Sequence, residues 1–99
     1  MAGIEEPWRD IVRVHPRVHE NHPELEDEDV LSAWMSTFAS TVRIGTDPLR
    51  FVAIGVDGKG CSVEMIAVRT KNQHWYIIHA FTPPTQNVLK ELGLSKERR

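Results

Sequence analysis

The stretch Arg50-Phe51-Val52-Ala53-Ile54-Gly55-Val56-Asp57-Gly58-Lys59-Gly60-Cys61-Ser62-Val63-Glu64-Met65-Ile66-Ala67-Val68-Arg69-Thr70-Lys71-Asn72-Gln73-His74-Trp75-Tyr76-Ile77-Ile78-His79-Ala80-Phe81-Thr82 decides the fold. It holds three runs rich in β-branched and aromatic residues: Arg50 to Asp57, Cys61 to Thr70 and His74 to Thr82. Asp57-Gly58-Lys59-Gly60 between the first two is a tight-turn signal, and Lys71-Asn72-Gln73 between the last two is a short polar turn. Connections this short make neighbouring strands antiparallel, because a parallel pair needs a crossover of about a dozen residues. The stretch predicts a three-stranded antiparallel meander.

The strands are apolar on both sides. Val52, Ile54 and Val56 oppose Phe51, Ala53 and Gly55, and simple alternation in the third strand puts His79 on the side of Trp75 and Ile77. A sheet with one solvated face alternates more cleanly, so helices or a partner are expected on both faces, and a homodimer is one way to supply the cover.

Outward from the meander, residues 10–14 read as a short N-terminal edge strand, a fourth strand for the sheet, which His15-Pro16 ends. A short helix is expected from Pro16 to about Asn21. Residues 26–40 predict a longer helix, with Val30, Leu31, Trp34 and Phe38 on one stripe and Glu26, Asp27, Glu28 and Asp29 in the first turn, where the helix dipole favours negative charge. Residues 41–49 read as a loop. Beyond Pro83-Pro84, Thr85 is a suitable N-cap for a last helix carrying Val88, Leu89 and Leu92, and Gly93 is its stop. The fold class is α+β: a small antiparallel sheet packed with two or three helices, in one domain over residues 1–99, with flexible ends at 1–9 and 95–99.

The net charge is −2 and the isoelectric point is near 6.2. That balance excludes the strong positive field of a non-specific nucleic-acid binder, although a local basic face remains compatible with it. Cys61 is the single cysteine, so no intramolecular disulfide forms, which suits a reducing compartment. Residues 1–9 have no apolar core and no run approaches the ~20 apolar residues of a membrane span, so a cytoplasmic protein without membrane contact is expected.

His15, His19 and His22 have helical spacing, but Pro16 and Pro23 put the outer two at the helix ends, so no metal site is expected, and no cofactor motif is present. Glu64 interrupts an apolar strand, and a carboxylate there needs a partner, with His79, Arg50 and Arg69 as candidates. His79 is the best candidate for a general acid or base, since histidine as a residue type titrates near neutrality. Arg50, Arg69 and Lys71 stand at strand ends, where cations can hold phosphates. Trp75 and Trp8 are candidates for stacking on bases, whereas Trp34 belongs to the core stripe.

The layout resembles the BrnT-like toxins. His22-Pro23-Glu24-Leu25 before the Asp29-Val30 helix is similar to their opening, and Arg50-Phe51-Val52-Ala53-Ile54-Gly55 to their Arg-Tyr-x-Ala-x-Gly strand. Gly60 to Val68 is similar to their Gly-x-x-x-x-Val-Val strand, and Ile77-Ile78-His79-Ala80 stands where they carry Ile-Ile-Ser-Ala-Arg. The likeness runs over residues 13–93. It implies the RelE/ParE-like toxin fold and a bacterial type II toxin–antitoxin system. It implies an endoribonuclease that blocks translation without a metal, and an antitoxin that neutralises it. Carried to matching positions, it implies His79 as acid or base, Glu64 as a second base, and Arg50 and Arg69 as phosphate-binding residues. The alternative is a non-enzymatic interaction module that keeps the fold and binds a partner protein or its own copy.

Overall fold

The computed structural model describes residues 11–94. The expected flexible ends and the stacking role of Trp8 lie outside them. In chain order the elements are β1 (Val12–Val14), α1 (Pro16–Asn21), α2 (Asp27–Met35), β2 (Ala39–Arg43), β3 (Arg50–Val56), β4 (Ser62–Arg69), β5 (Trp75–Phe81) and α3 (Gln86–Glu91). The fold is α+β.

The sheet is larger than a three-stranded meander. It has five strands in the order β1-β5-β4-β3-β2. β2, β3, β4 and β5 pair antiparallel, whereas β1 pairs parallel with β5, so the sheet is mixed. Its added edge, β2, comes from residues expected to end a helix and begin a loop. The helix stops at Met35 because Ser36 and Thr37 take over its last carbonyls: Ser36 N–H donates to Ser32 and Ala33, and Thr37 Oγ1 donates to Trp34 O at 2.7 Å. Thr41 and Val42 then favour extended backbone. Phe38, expected on the helix stripe, is instead 59% exposed.

Two turns set the register of the central strands. Asp57 Oδ1 accepts from the backbone N–H of Lys59 and Cys61, at 2.8 and 2.9 Å, and Gly60 takes the left-handed conformation that closes the loop. At the other end Thr70 Oγ1 accepts from His74 N–H, and Gln73 adopts positive φ.

Each sheet face has its own apolar cluster. On one face α1 and α2 cover Phe51, Ala53, Val63, Met65, Ala67, Trp75, Ile77 and Ala80. The rings of Trp34, Phe51 and Trp75 meet there at centroid distances of 5.3–6.1 Å. Gly55 lets α2 sit directly on β3, with the Ala33 carbonyl where a side chain would begin. On the other face α3 places Val88, Leu89 and Leu92 over Val52, Ile54 and Ile66.

A short helix of this kind needs more than three apolar residues to stay docked. Arg43 on β2 supplies one tie, a two-pronged ion pair to Glu91 with distances of 2.9 and 3.0 Å. Arg43 beside Glu91 holds the Glu91 carboxyl below its ordinary 4.5, and Glu91 in turn raises the arginine. A carboxyl depressed by folding stabilises the native state above its unfolded pKa, and that contribution disappears as pH falls through the lower folded value. Arg43→Met is therefore expected to lower the melting temperature by about 4–8 °C at pH 7, for a pair worth about 1 kcal/mol. The gap between variant and wild type should narrow as pH falls below the ordinary carboxyl value of 4.5, as thermal melts at pH 7 and across the acid range would read. A constant gap would remove the ion pair as its cause.

Candidate functional site: a carboxylate–histidine pair under the last helix

Glu64 and His79 meet on the α3 face. Even-numbered β4 residues point there, which directs Glu64 and Ile66 away from the Trp34–Trp75 core. His79 arrives by a less regular route. The β4–β5 register shifts between Ile66 and Ala67: Ile66 faces His79, but Ala67 faces Ile77, which leaves Ile78 as an extra residue in β5. The bulge reverses the alternation. Trp75 and Ile77 lie in the core on one face, while His79 turns to the other and joins Glu64. The expectation that His79 shares the side of Trp75 and Ile77 is corrected by this one residue.

His79 Nε2 lies 2.6 Å from Glu64 Oε2. Glu64 Oε1 accepts from Thr85 N–H at 2.7 Å and from Thr85 Oγ1 at 2.9 Å. The carboxylate is thus satisfied by three donors, as a buried charge must be. Its side chain is 3% exposed, whereas that of His79 is 37% exposed. Thr85 is the N-cap of α3 and its hydroxyl also accepts from Val88 N–H. Thr82 Oγ1 donates to Ser62 O at 2.6 Å, which fastens the Pro83-Pro84 segment to β4. One carboxylate therefore both orients a histidine and anchors the start of the last helix.

This arrangement has a defined chemical capacity. An ionised carboxylate only accepts, so Nε2 is the donor, and in the neutral form of the ring Nδ1 is the nitrogen that keeps a lone pair. A half-exposed imidazole oriented by a buried carboxylate is the base-and-orienter part of many hydrolytic sites. Of the three candidate partners of Glu64, His79 takes the carboxylate. Neither Arg50 nor Arg69 forms a salt bridge with it.

The other candidate residues lie at the opposite end of the sheet. Arg50 shares the α3 face but stands opposite Val68, four residues from Glu64 or about 13 Å along the strand. Arg69 is on the other face, with its guanidinium 4.7 Å from the centre of the Trp75 ring. Lys71 lies in the exposed turn beyond β4. Trp75 is fully buried between Trp34 and Phe51, so it has no ring face for a base, and its assignment as a stacking residue is corrected. Arg43 and Thr85 went unassigned as site residues. The field of Glu64 reaches Arg43, and Thr85 was visible only as a helix cap.

The three N-terminal histidines are engaged separately. His15 Nδ1 accepts from Arg17 N–H, His22 packs its ring on Phe81, and His19 Nδ1 donates to Leu25 O. That bond raises the His19 pKa above 6.5, with Glu26, Asp27 and Glu24 adding to it. Among the described residues no group of three His, Cys, Asp or Glu side chains is placed to hold a metal. Beside His19 an open groove of about 670 Å³ is lined by Glu20, Glu26, Asp27 and Glu28. Its charge repels phosphates.

Comparison of the chain with protein-family models, with curated proteins and with solved structures finds no match.

Proposed function

We propose that this chain is a toxin of the BrnT-like kind, within the RelE/ParE-like group, and that it cleaves RNA without a metal through His79 and Glu64. The observation that carries the reading is the 2.6 Å contact between a half-exposed histidine and a buried carboxylate. His79 Nδ1 takes the proton of a ribose 2′-hydroxyl as its oxygen attacks the adjacent phosphorus. The P–O5′ bond breaks, O5′ leaves and takes a proton from water, and a 2′,3′-cyclic phosphate remains; the His79 imidazolium then returns its proton to solvent. Glu64 stabilises the imidazolium that forms. Arg50, about 13 Å along the same face, holds a phosphate further down the strand rather than the reacting one. The reaction belongs in the cytoplasm, where Cys61 stays reduced, and an antitoxin that covers the α3 face would silence it. Among the described residues no helix is long and apolar enough to cross a membrane.

The test is expression of wild type, His79→Ala and His79→Gln while growth and total RNA are followed. The glutamine amide can still donate to Glu64 but offers no base at the place of Nδ1. Wild type should arrest growth and fragment RNA. Both variants should lose cleavage by about 10²–10⁴-fold, the usual contribution of a general base. The glutamine variant should keep the wild-type melting temperature within a few degrees. Intact RNA in cells that hold folded wild type would overturn the enzyme reading. The second reading, a non-enzymatic interaction module, is favoured by the net charge of −2 and by the anchoring use of Glu64. It predicts a captured partner protein and unchanged RNA.

A further inference from the structure

β2 is an edge strand: β3 pairs with one side, and no strand among the described residues pairs with the other. Its residues Ala39-Ser40-Thr41-Val42-Arg43 include none of the usual edge protections, neither proline nor lysine, and its register with β3 has no bulge. The one charge, Arg43, is turned to Glu91 on α3. Two large apolar side chains bracket the strand. Phe38 is 59% exposed and Ile44 is 95% exposed.

We infer that β2 is a homodimer interface, in which two copies pair antiparallel about a two-fold axis through Thr41. In that register Ala39 lies opposite Arg43 and Ser40 opposite Val42. Phe38 lies opposite Ile44, at both ends of the ribbon. Each copy's aromatic ring covers the other's isoleucine, and no like charges face each other. Moving the centre by one residue in either direction sets Phe38 against Thr46 or Val42 and leaves Ile44 against Ser40 or Ser36. An unrelated strand could fill the free hydrogen bonds. The symmetric placement of Phe38 and Ile44 about Thr41 is exploited only by a second copy. A five-residue ladder with two apolar contacts falls near the low end of specific interfaces, about 1,200 Å², so association in the micromolar range is expected. The dimer does not use His79 or Glu64 and stands whether or not the chain cuts RNA.

Sedimentation of the full chain over a range of concentrations tests it, together with single cysteines in a Cys61→Ser background. Wild type should be dimeric at about 100 μM, and Ile44→Glu should raise the dissociation constant at least tenfold. Ile44 is almost wholly exposed, so its variant should keep the wild-type circular dichroism and melt. Residues directly opposite in an antiparallel pair have Cα atoms about 4.5–5.5 Å apart, within disulfide reach. Thr41→Cys should therefore cross-link to its own copy on oxidation, and Ser40→Cys should not. A monomer at every concentration would overturn the proposal and leave the edge to a strand of another protein. A dimer indifferent to Ile44→Glu and not cross-linked through Thr41→Cys would seat the second copy elsewhere and overturn it equally.

Discussion

Gly55→Ala is expected to lower the melting temperature by about 12–24 °C, from a loss of about 3 kcal/mol at 4–8 °C per kcal/mol for a domain of this size. A methyl carbon at Gly55 would lie 1.7 Å from the Ala33 carbonyl oxygen and 2.7 Å from the carbon that bears it. Both atoms belong to the α2 backbone, so no side-chain rotation clears the way. Relief requires lifting α2 from β3. Val30, Ala33 and Trp34 on that helix are fully buried, so lifting it opens the core under the Trp34, Phe51 and Trp75 rings. Overpacking that side chains can absorb costs about 1–3 kcal/mol, and a backbone collision belongs at or above the top of that range. A domain with about 5–15 kcal/mol in hand would be left with little. Gly58→Ala is the control. Nothing lies within 4 Å of its added carbon, and its melt should stay near wild type. A Gly55→Ala melt within 3 °C of wild type would mean that α2 does not approach β3 as closely as described.

The features that were legible in the sequence are those written in adjacent residues. Pro16 starts α1 and Thr85 caps α3 where local signals placed them. Asp57 and the glycines after it bend the chain where a tight turn was expected. Glu64 stood out because a carboxylate in an apolar strand has to be paired, and it is. Two decisive features depend on residues far apart in sequence. β2 exists because β3 offers it an edge: Ser36 to Arg43 has neither a clean helical stripe nor a clean alternation, so pairing decides between the two. The β5 bulge is invisible because Ile77 and Ile78 are equally apolar, and an extra isoleucine leaves no mark in the pattern. One unpaired residue nevertheless moves His79 to the other face. Glu64 and His79 were legible as candidate partners, and the register that puts them on one face was not.

Glu64 performs two tasks, and two substitutions are expected to separate them. Glu64→Ala leaves Thr85 N–H, Thr85 Oγ1–H and His79 Nε2–H without their acceptor. Unpaired buried donors cost about 1–3 kcal/mol each when water does not reach them. Even with partial hydration the total should reach about 3 kcal/mol, or about 12–24 °C in melting temperature. The loss should concentrate in residues 82–92, where hydrogen exchange would report α3 opening ahead of the sheet. Glu64→Gln should behave differently. The amide oxygen can accept from both Thr85 donors, so α3 stays capped and the melt shifts by only a few degrees. The amide nitrogen then faces His79, which must accept at Nε2, so the ring proton moves to Nδ1. Nδ1 becomes a donor and cannot abstract a proton. In the proposed ribonuclease this tautomer exchange should remove cleavage by about 10²-fold or more while the fold persists. Imidazole ¹⁵N shifts would show which nitrogen is protonated in each protein, independently of any RNA measurement. If Glu64→Gln exchanges the tautomer and growth arrest is unchanged, the histidine is not the base, and Glu64 serves only to hold the last helix on the sheet.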